Sequence, residues 1–304
     1  MLFDLTILGC SGAIPAYNRH PSSHFLNYNG HGFLIDCGEG TQLQMAKFNI
    51  RRAKLDHIFI SHMHGDHFFG LMGLISAFNL NYRETPLHIY GNQAIEEIVN
   101  AHFRATATTL KYEIHFHHVN ADRPEIIFDS PYLSVETIPL VHRIPTTGFL
   151  FREKQGLRKI LPEKIAENQI PVTELVKIKQ GADYIDGSGT VIPNKILTAD
   201  PDPPLSYAYC SDTIYNEKMA KQLKGVSVLY HEATFSHEHA FRAVETFHST
   251  TREAATIAKL AGAGQLIIGH YSARYENLEV LLNEAREVFS ETYLAEEGKN
   301  YVIK

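Results

Sequence analysis

The run FISHMHGDHFFG, residues 59–70, places His62, His64, Asp66 and His67 within six positions, directly behind the apolar run LDHIFI. An apolar run of that length predicts a β-strand. Successive strand residues alternate in direction, so a strand ending in IFISH would deliver His62 and His64 to the same side. Asp66 and His67 would follow on a tight loop, with Gly65 freeing the backbone to turn. Neutral imidazole and carboxylate are donors suited to Zn, Mn or Fe, and two ions can share such a cluster. The decisive stretch is therefore read as a metal-ligating strand end.

The rest of the chain is compatible with a large globular core. It has 304 residues, 44% hydrophobic and 20% charged, the composition of an ordinary soluble protein. No apolar run approaches the roughly 20 residues that span a bilayer, which argues against a membrane role. The opening run, MLFDLTILGCSG, carries Asp4 and no basic leader, so it reads as a first strand and not as a signal peptide. Cys10, Cys37 and Cys210 are far apart and odd in number, which argues against a disulfide framework and for a cytoplasmic protein. A net charge of −6 argues against a general nucleic-acid binder. Histidine is the unusual count, at 18, and its placement has to decide what it means.

Along the chain, short apolar runs alternate with turns and helical spacings. DLTILG and SSHFLNYNGHGFLIDCGEG read as strands, the latter a hairpin with Asn29-Gly30 at its turn. Helical spacing recurs in FGLMGLISAFNL, NQAIEEIVNAHFRA, TTREAATIAKLAG and NLEVLLNEAREVFSE, with strands such as VSVLYHEA, QLIIGHYS and NYVIK around them. The predicted architecture is α/β (α+β): two sheets face to face with helices outside, a four-layer αββα sandwich in one domain spanning 1–304. Residues 152–199 differ, being rich in Pro, Gly and charge with only short apolar pieces, and read as an inserted flexible basic arm. Over residues 152–181, seven Lys/Arg stand against four Glu, a local balance of +3 that leaves −9 for the remainder.

The HxHxDH pattern of His62, His64, Asp66 and His67 resembles the signature of the metallo-β-lactamase superfamily, whose fold is the αββα sandwich. Later ligands of that superfamily match His142 in PLVHRIP, Asp212 in YCSDT and His270 in IIGHYS, while Asp36 in FLIDCGEG matches its early structural aspartate. Within the superfamily the chain is most similar to tRNase Z, the endonuclease family that matures tRNA 3′ ends. That resemblance rests on DCGEGTQ (36–42), HEATF (231–235), HST (248–250), GHYSARY (269–275) and the position of the basic arm. The arm lacks the family's glycine-proline signature, and residues 14–23 lack its lysine.

The resemblance implies two zinc ions per subunit, with Mn or Fe as alternatives. His62, His64 and His142 would hold one, Asp66, His67 and His270 the other, and Asp212 would bridge them. Two cations can stabilise both the attacking and the leaving oxygen of a displacement at phosphorus. Asp66 would orient or deprotonate the attacking water, and His248 would protonate the leaving 3′-oxygen. His231 is a candidate for steering a metal ligand, as Asp36 is. Arg274 and Tyr275 are candidates for phosphate contact, and Lys154, Arg158, Lys159, Lys177 and Lys179 of the arm for contact with precursor tRNA. Members of this short form are typically homodimers, one subunit's arm serving the other's site. The histidines at 115, 117 and 118, and those at 237 and 239, are read as ordinary polar residues. The main alternative keeps the dinuclear centre but gives it a small phosphodiester, which would have no use for the arm. A metal-bound RNA-binding module without catalysis is a third reading, against which the intact ligand set argues.

Overall fold

The computed structural model describes residues 3–304; Met1 and Leu2, the head of the run read as a first strand, lie outside the described residues. Strands β1 (Phe3–Gly9), β2 (Ser23–Tyr28), β3 (His31–Ile35), β4 (Leu55–Phe59), β5 (Leu87–Gly91) and β6 (Ile114–His118) come first. Helices α1 (Thr41–Lys47), α2 (Gly65–Phe68), α3 (Leu71–Leu80) and α4 (Ala94–Ala105) lie among them. Then come β7 (Ile126–Asp129), β8 (Leu133–Leu140) and β9 (Thr146–Glu153). An inserted stretch follows, with β10 (Lys159–Ile160), α5 (Pro162–Glu167), α6 (Leu175–Lys179), β11 (Tyr184–Ile185), β12 (Val191–Ile192), α7 (Asn194–Leu197) and β13 (Thr198–Ala199). The chain resumes through β14 (Ser206–Cys210), α8 (Met219–Gln222), β15 (Val228–Glu232), α9 (Ala240–Thr246) and α10 (Thr251–Ala261). It ends with β16 (Gln265–Gly269), α11 (Glu279–Arg286), β17 (Thr292–Leu294) and β18 (Asn300–Val302).

Two seven-stranded sheets result, ordered β18-β1-β2-β3-β4-β5-β6 and β17-β16-β15-β14-β9-β8-β7. Helices flank both, which is the four-layer arrangement that the alternating pattern predicts. The β2–β3 hairpin turns at Asn29 and Gly30, both at positive φ (50° and 89°), as a two-residue hairpin loop requires. Between the sheets the packing is aromatic. Phe149 and Phe151, two apart on β9 and so on one face, both lie 5.3 Å from the Phe59 ring of the opposite sheet. Such pairs add about 0.5–1.5 kcal/mol each beyond area burial. On its outer face the first sheet buries Ile58 and Ile60 against Leu71, Leu74, Ile75 and Phe78 of α3 and Ile95, Val99 and Phe103 of α4. The three- and four-residue spacing of those side chains is a helical stripe facing a core.

β3 to β6 run parallel, and so do β14 to β17. Parallel strands leave their carboxyl ends on one side, where an open α/β sheet offers a crevice. One expectation needs correction. β4 stops at Phe59, and His62 and His64 sit on the loop beyond it, with Asp66 and His67 on the one-turn helix α2. Strand alternation therefore does not set their directions. Gly65 is also not among the positive-φ glycines; its lack of a side chain serves close packing instead, as described below.

The inserted stretch belongs to a second compact unit, residues 130–134 and 152–205. Its short apolar pieces meet: Ile170, Ile178 and Leu197 are buried together, with Ile165, Leu175, Tyr184 and Ile192 packed on them. Asn194 ties it: its amide donates to the carbonyls of Ile178 (2.6 Å) and Ala182 (2.8 Å). Each apolar piece is too short to show a period in sequence, and only folding brings them together.

Candidate metal centre and its cleft

The loops leaving β4, β8, β14 and β16 bring seven donors together. His62, His64, His142 and Asp212 form one group, and Asp66, His67 and His270 another, each with its ligand atoms within 4.8 Å of one another. Asp212 joins them. Its Oδ2 lies 3.6 Å from His62 Nε2 and 3.8 Å from His142 Nε2. Its Oδ1 lies 3.4 Å from His67 Nε2 and 3.3 Å from His270 Nε2. Asp66 Oδ2 stands 3.3 Å from His270 Nε2 and 3.5 Å from His67 Nε2.

The outer nitrogens are held by groups that settle which face of each ring turns inward. His67 Nδ1 donates to Asp36 Oδ2 at 2.7 Å, and His142 Nδ1 donates to the Phe247 carbonyl at 2.8 Å. The Ser61 hydroxyl donates to Asp36 (2.8 Å), which leaves it to accept from His62 Nδ1 at 3.0 Å. The Thr234 hydroxyl donates to Glu232 Oε2 (2.8 Å) and so accepts from His270 Nδ1 at 2.9 Å. Four rings thus turn Nε2 toward the centre. His64 presents Nδ1, at 3.0 Å from His62 Nε2 and 3.3 Å from His142 Nε2. Burial, the largest influence, pushes His62, His64 and His142 toward the neutral form, which is the form that ligates.

Imidazole nitrogens and carboxylate oxygens converging from several elements are a donor set for a cation. The spacings also fit, since a tetrahedral shell with metal–nitrogen bonds of about 2.0–2.1 Å puts neighbouring donors about 3.3 Å apart. The donor set therefore suits divalent metal. One donor, His270 (φ 59°), and Asp36 (φ 56°), which holds the outer nitrogen of His67, carry backbone strain. Positive φ in a residue other than glycine costs energy and concentrates at functional sites.

Asp36 is a buried hub. Besides His67 and Ser61 Oγ it accepts from the Ser61 amide (2.7 Å) and the Tyr209 hydroxyl (2.6 Å). His231 is a correction. Its Nδ1 meets the neighbouring Glu232 carbonyl at 2.6 Å and its Nε2 has no hydrogen-bond partner, so it holds none of the seven donors by a hydrogen bond. The residue of the HEAT segment that reaches them is Glu232, its neighbour on β15 and so turned the other way. Glu232 Oε1 accepts from His248 Nδ1 (2.9 Å), from the Ser249 amide (3.0 Å) and from the Thr213 amide (3.1 Å). Burial opposes charge on His248, but the Glu232 carboxylate outweighs it and raises the pKa to about 9. His248 does not cap α10; Thr250 does, in a capping box with Glu253.

The centre floors a cleft of about 540 Å³ lined by Ile14, Phe69, Arg143, Asp212, His248 and His270 among others. Arg143, unremarked in sequence, is the one Arg or Lys on that lining; one of its guanidinium nitrogens donates to the Glu245 carbonyl at 3.0 Å. Arg274 is exposed and lies over the Phe235 ring at 5.2 Å. Tyr275 turns its hydroxyl inward to the Ser236 amide (3.0 Å), packing a turn instead of facing solvent. In the inserted unit, Arg158 pairs with Asp200, Lys159 with Asp202 (2.5 Å) and Lys177 with Glu174 (3.0 Å). Lys154 and Lys179 lie in the same unit. His115, His117 and His118 join no metal group among the described residues; His118 pairs with Glu96 at 2.8 Å.

Comparison with known proteins agrees with this geometry. The chain is 46% identical to the ribonuclease Z of Bacteroides fragilis over 97% of both proteins. The chain belongs to the ribonuclease Z family. Residues 3–156 also match the family model described as anti-Pycsar protein Apyc1, a match that stops short of Asp212, Glu232, His248 and His270. Human tRNase Z, short form, shares the fold with a TM-score of 0.72 and 26% identity, covering 99% of each chain. A metallo-β-lactamase fold protein from Bacillus subtilis shares it with a TM-score of 0.68 and 22% identity, over 99% of this chain and 98% of that one. No helix among the described residues is long and apolar enough to cross a membrane.

For a ribonuclease Z family member, one glycine near the centre carries an expected result. A β-carbon on Gly12 would stand 2.8 Å from Cε1 and 2.9 Å from Nδ1 of His270. Gly12→Ala must tilt that ring off its Thr234 partner. Loss of such orienting contacts typically costs about 10–100-fold in metal affinity or activity. Elemental analysis should show weakened metal retention with the melting temperature of the metal-free protein nearly unchanged; full metal content and normal turnover would show that the ring has room to spare.

Proposed function

We propose that the chain is a zinc-dependent endoribonuclease that removes the 3′ trailer of precursor tRNA, leaving a 3′-hydroxyl on the tRNA and a 5′-phosphate on the trailer. The observation that carries this reading is Asp212, one carboxylate facing both histidine groups beneath an open cleft, in a chain of the ribonuclease Z family. His62, His64 and His142 would hold one metal, Asp66, His67 and His270 the other, and Asp212 both. When bound, the metals would supply Lewis-acid stabilisation of the oxygens at phosphorus and lower the pKa of a water.

The chain's own groups do the rest. Asp66, whose Oδ2 also accepts the Ala13 amide at 2.7 Å, orients the attacking water. His248 carries a proton at neutral pH because Glu232 holds its Nδ1–H, and it gives its other proton to the leaving 3′-oxygen. Glu232 does not touch the substrate; it positions His248 directly and His270 through Thr234. Arg143 draws the anionic strand into the cleft. Three buried cysteines without disulfides accord with a cytoplasmic enzyme, and the family resemblance supports a homodimer whose second unit grips the tRNA body.

The test is incubation of a 3′-extended precursor tRNA with purified protein and mapping of both new ends. A single cut beside the discriminator base is expected; uncut precursor alongside hydrolysed small diester would favour the alternative substrate. His248→Ala should slow precursor cleavage about 100-fold at unchanged metal content, within the range for general acid–base help. A diester with a good leaving group should be nearly unaffected, and equal losses on both substrates would assign His248 a structural role.

A further inference from the structure

Phe69 is 71% exposed, although it follows Phe68, which is buried in the core. Its ring is not loose. A β-carbon built on Gly65 would lie 2.3 Å from Phe69 Cε2 and 2.7 Å from Cδ2, so the ring is seated on the bare backbone of the loop that carries His64 and Asp66. Phe69 lines the cleft together with those two residues, and Ile14, 57% exposed, lines it as well. The result is an exposed aromatic ring, one edge resting on backbone, beside the groups that would act on phosphorus.

We propose that Phe69 is a positioning residue: it stacks one of the two nucleobases that flank the scissile phosphodiester. The proposal rests on the reading of this cleft as an RNA-cutting site. Every base has a π face, so stacking on an aromatic ring aligns a single strand without reading its sequence. Gly65 is part of the device, because any side chain there would lift the ring from its seat. No other occupant is as well matched to a lone ring that sits within reach of the metal donors and not on a wider apolar face.

The test is a double-perturbation cycle on the holoenzyme. Phe69→Ala and Phe69→Tyr are each assayed on intact precursor RNA and on precursors made abasic on either side of the cut. Removing one stacking contact should lower cleavage efficiency by about 5- to 150-fold, mainly through KM and with blurred cut-site choice. Tyrosine should restore it. At one flanking position the abasic precursor should lose about as much with wild-type protein, and Phe69→Ala should then lose nothing further. Fully additive losses at both positions would overturn the proposal, as would wild-type behaviour of Phe69→Ala. A changed mass by light scattering in that variant would also overturn it, assigning the ring to a subunit contact. If the wild-type protein leaves intact precursor uncut, it is the RNA-processing reading that fails.

Discussion

Asp212→Ala is expected to strip the centre of metal and abolish hydrolysis of precursor tRNA and small diesters alike, while the melting temperature measured on metal-free protein changes little. The reason is geometric and electrostatic together. Asp212 is buried, and its two oxygens reach His62 and His142 on one side and His67 and His270 on the other. Burial works against its charge, but His270, His67 and His62 hold its carboxyl well below the usual range. Without it, Asp66 would be the only anion among the seven donors to offset two divalent cations. The imidazoles would keep their outer hydrogen bonds, since Asp36, Ser61, Thr234 and the Phe247 carbonyl are untouched, so the pocket should survive as an empty one. Elemental analysis, a melt and turnover on both substrates check this. Two tightly held metals with normal turnover in Asp212→Ala would refute the shared-carboxylate arrangement.

How much of this was legible in the sequence depends on how local each signal is. His62, His64, Asp66 and His67 announce themselves by density, four donors in six positions. His142, Asp212 and His270 are single residues at the ends of distant runs, and only likeness to a family with the same order of motifs singles them out. The groups that orient them are harder still. Glu232 and His231 are neighbours, and nothing in HEAT says which of the two faces inward; the register of β15 decides it. Thr234 and Gly12 act on His270 from far along the chain, and Ser61 orients its neighbour His62 only because distant Asp36 fixes its hydroxyl, which no window of sequence displays. Phe69 reads as one more apolar residue after Phe68, and its exposure becomes visible only when α2 closes its single turn. The strand expected to aim His62 and His64 ends too early to do so, and the Ser61 hydroxyl aims His62 instead.

The inserted unit invites the same caution about local composition, and excising it is the other experiment with a large expected effect. Residues 152–181 carry a balance of +3, but residues 182–205 carry Asp183, Asp186, Asp200 and Asp202 against Lys195 alone, so the span 152–205 is neutral. Arg158 and Lys159 are already paired with two of those aspartates. Exposed pairs of this kind are worth little, typically ~0–1 kcal/mol, so a phosphate can compete for the cations. The number of counterions released on binding, and with it the salt dependence, should therefore be smaller than seven basic residues suggest. The fold also says where to cut. Glu153 and Leu205 are hydrogen-bonded neighbours, the Glu153 amide donating to the Leu205 carbonyl and the Leu205 amide to the Glu153 carboxylate at 2.9 Å. A short Gly/Ser linker in place of residues 154–204 can join them, whereas a cut at residue 179 would strand half of the Ile170–Ile178–Leu197 core. The excised protein should keep its metal and hydrolyse a small chromogenic diester at the normal rate. Its cleavage of precursor tRNA should fall by about a hundredfold or more through lost phosphate contacts, and its residual salt dependence should flatten. If one subunit's arm serves its partner's centre, mixing the excised protein with Asp212→Ala should recover part of the lost activity, since the hybrid pairs one intact arm with one intact centre. Normal precursor cleavage by the excised protein would remove the unit from substrate binding and move the weight toward a small phosphodiester as the substrate.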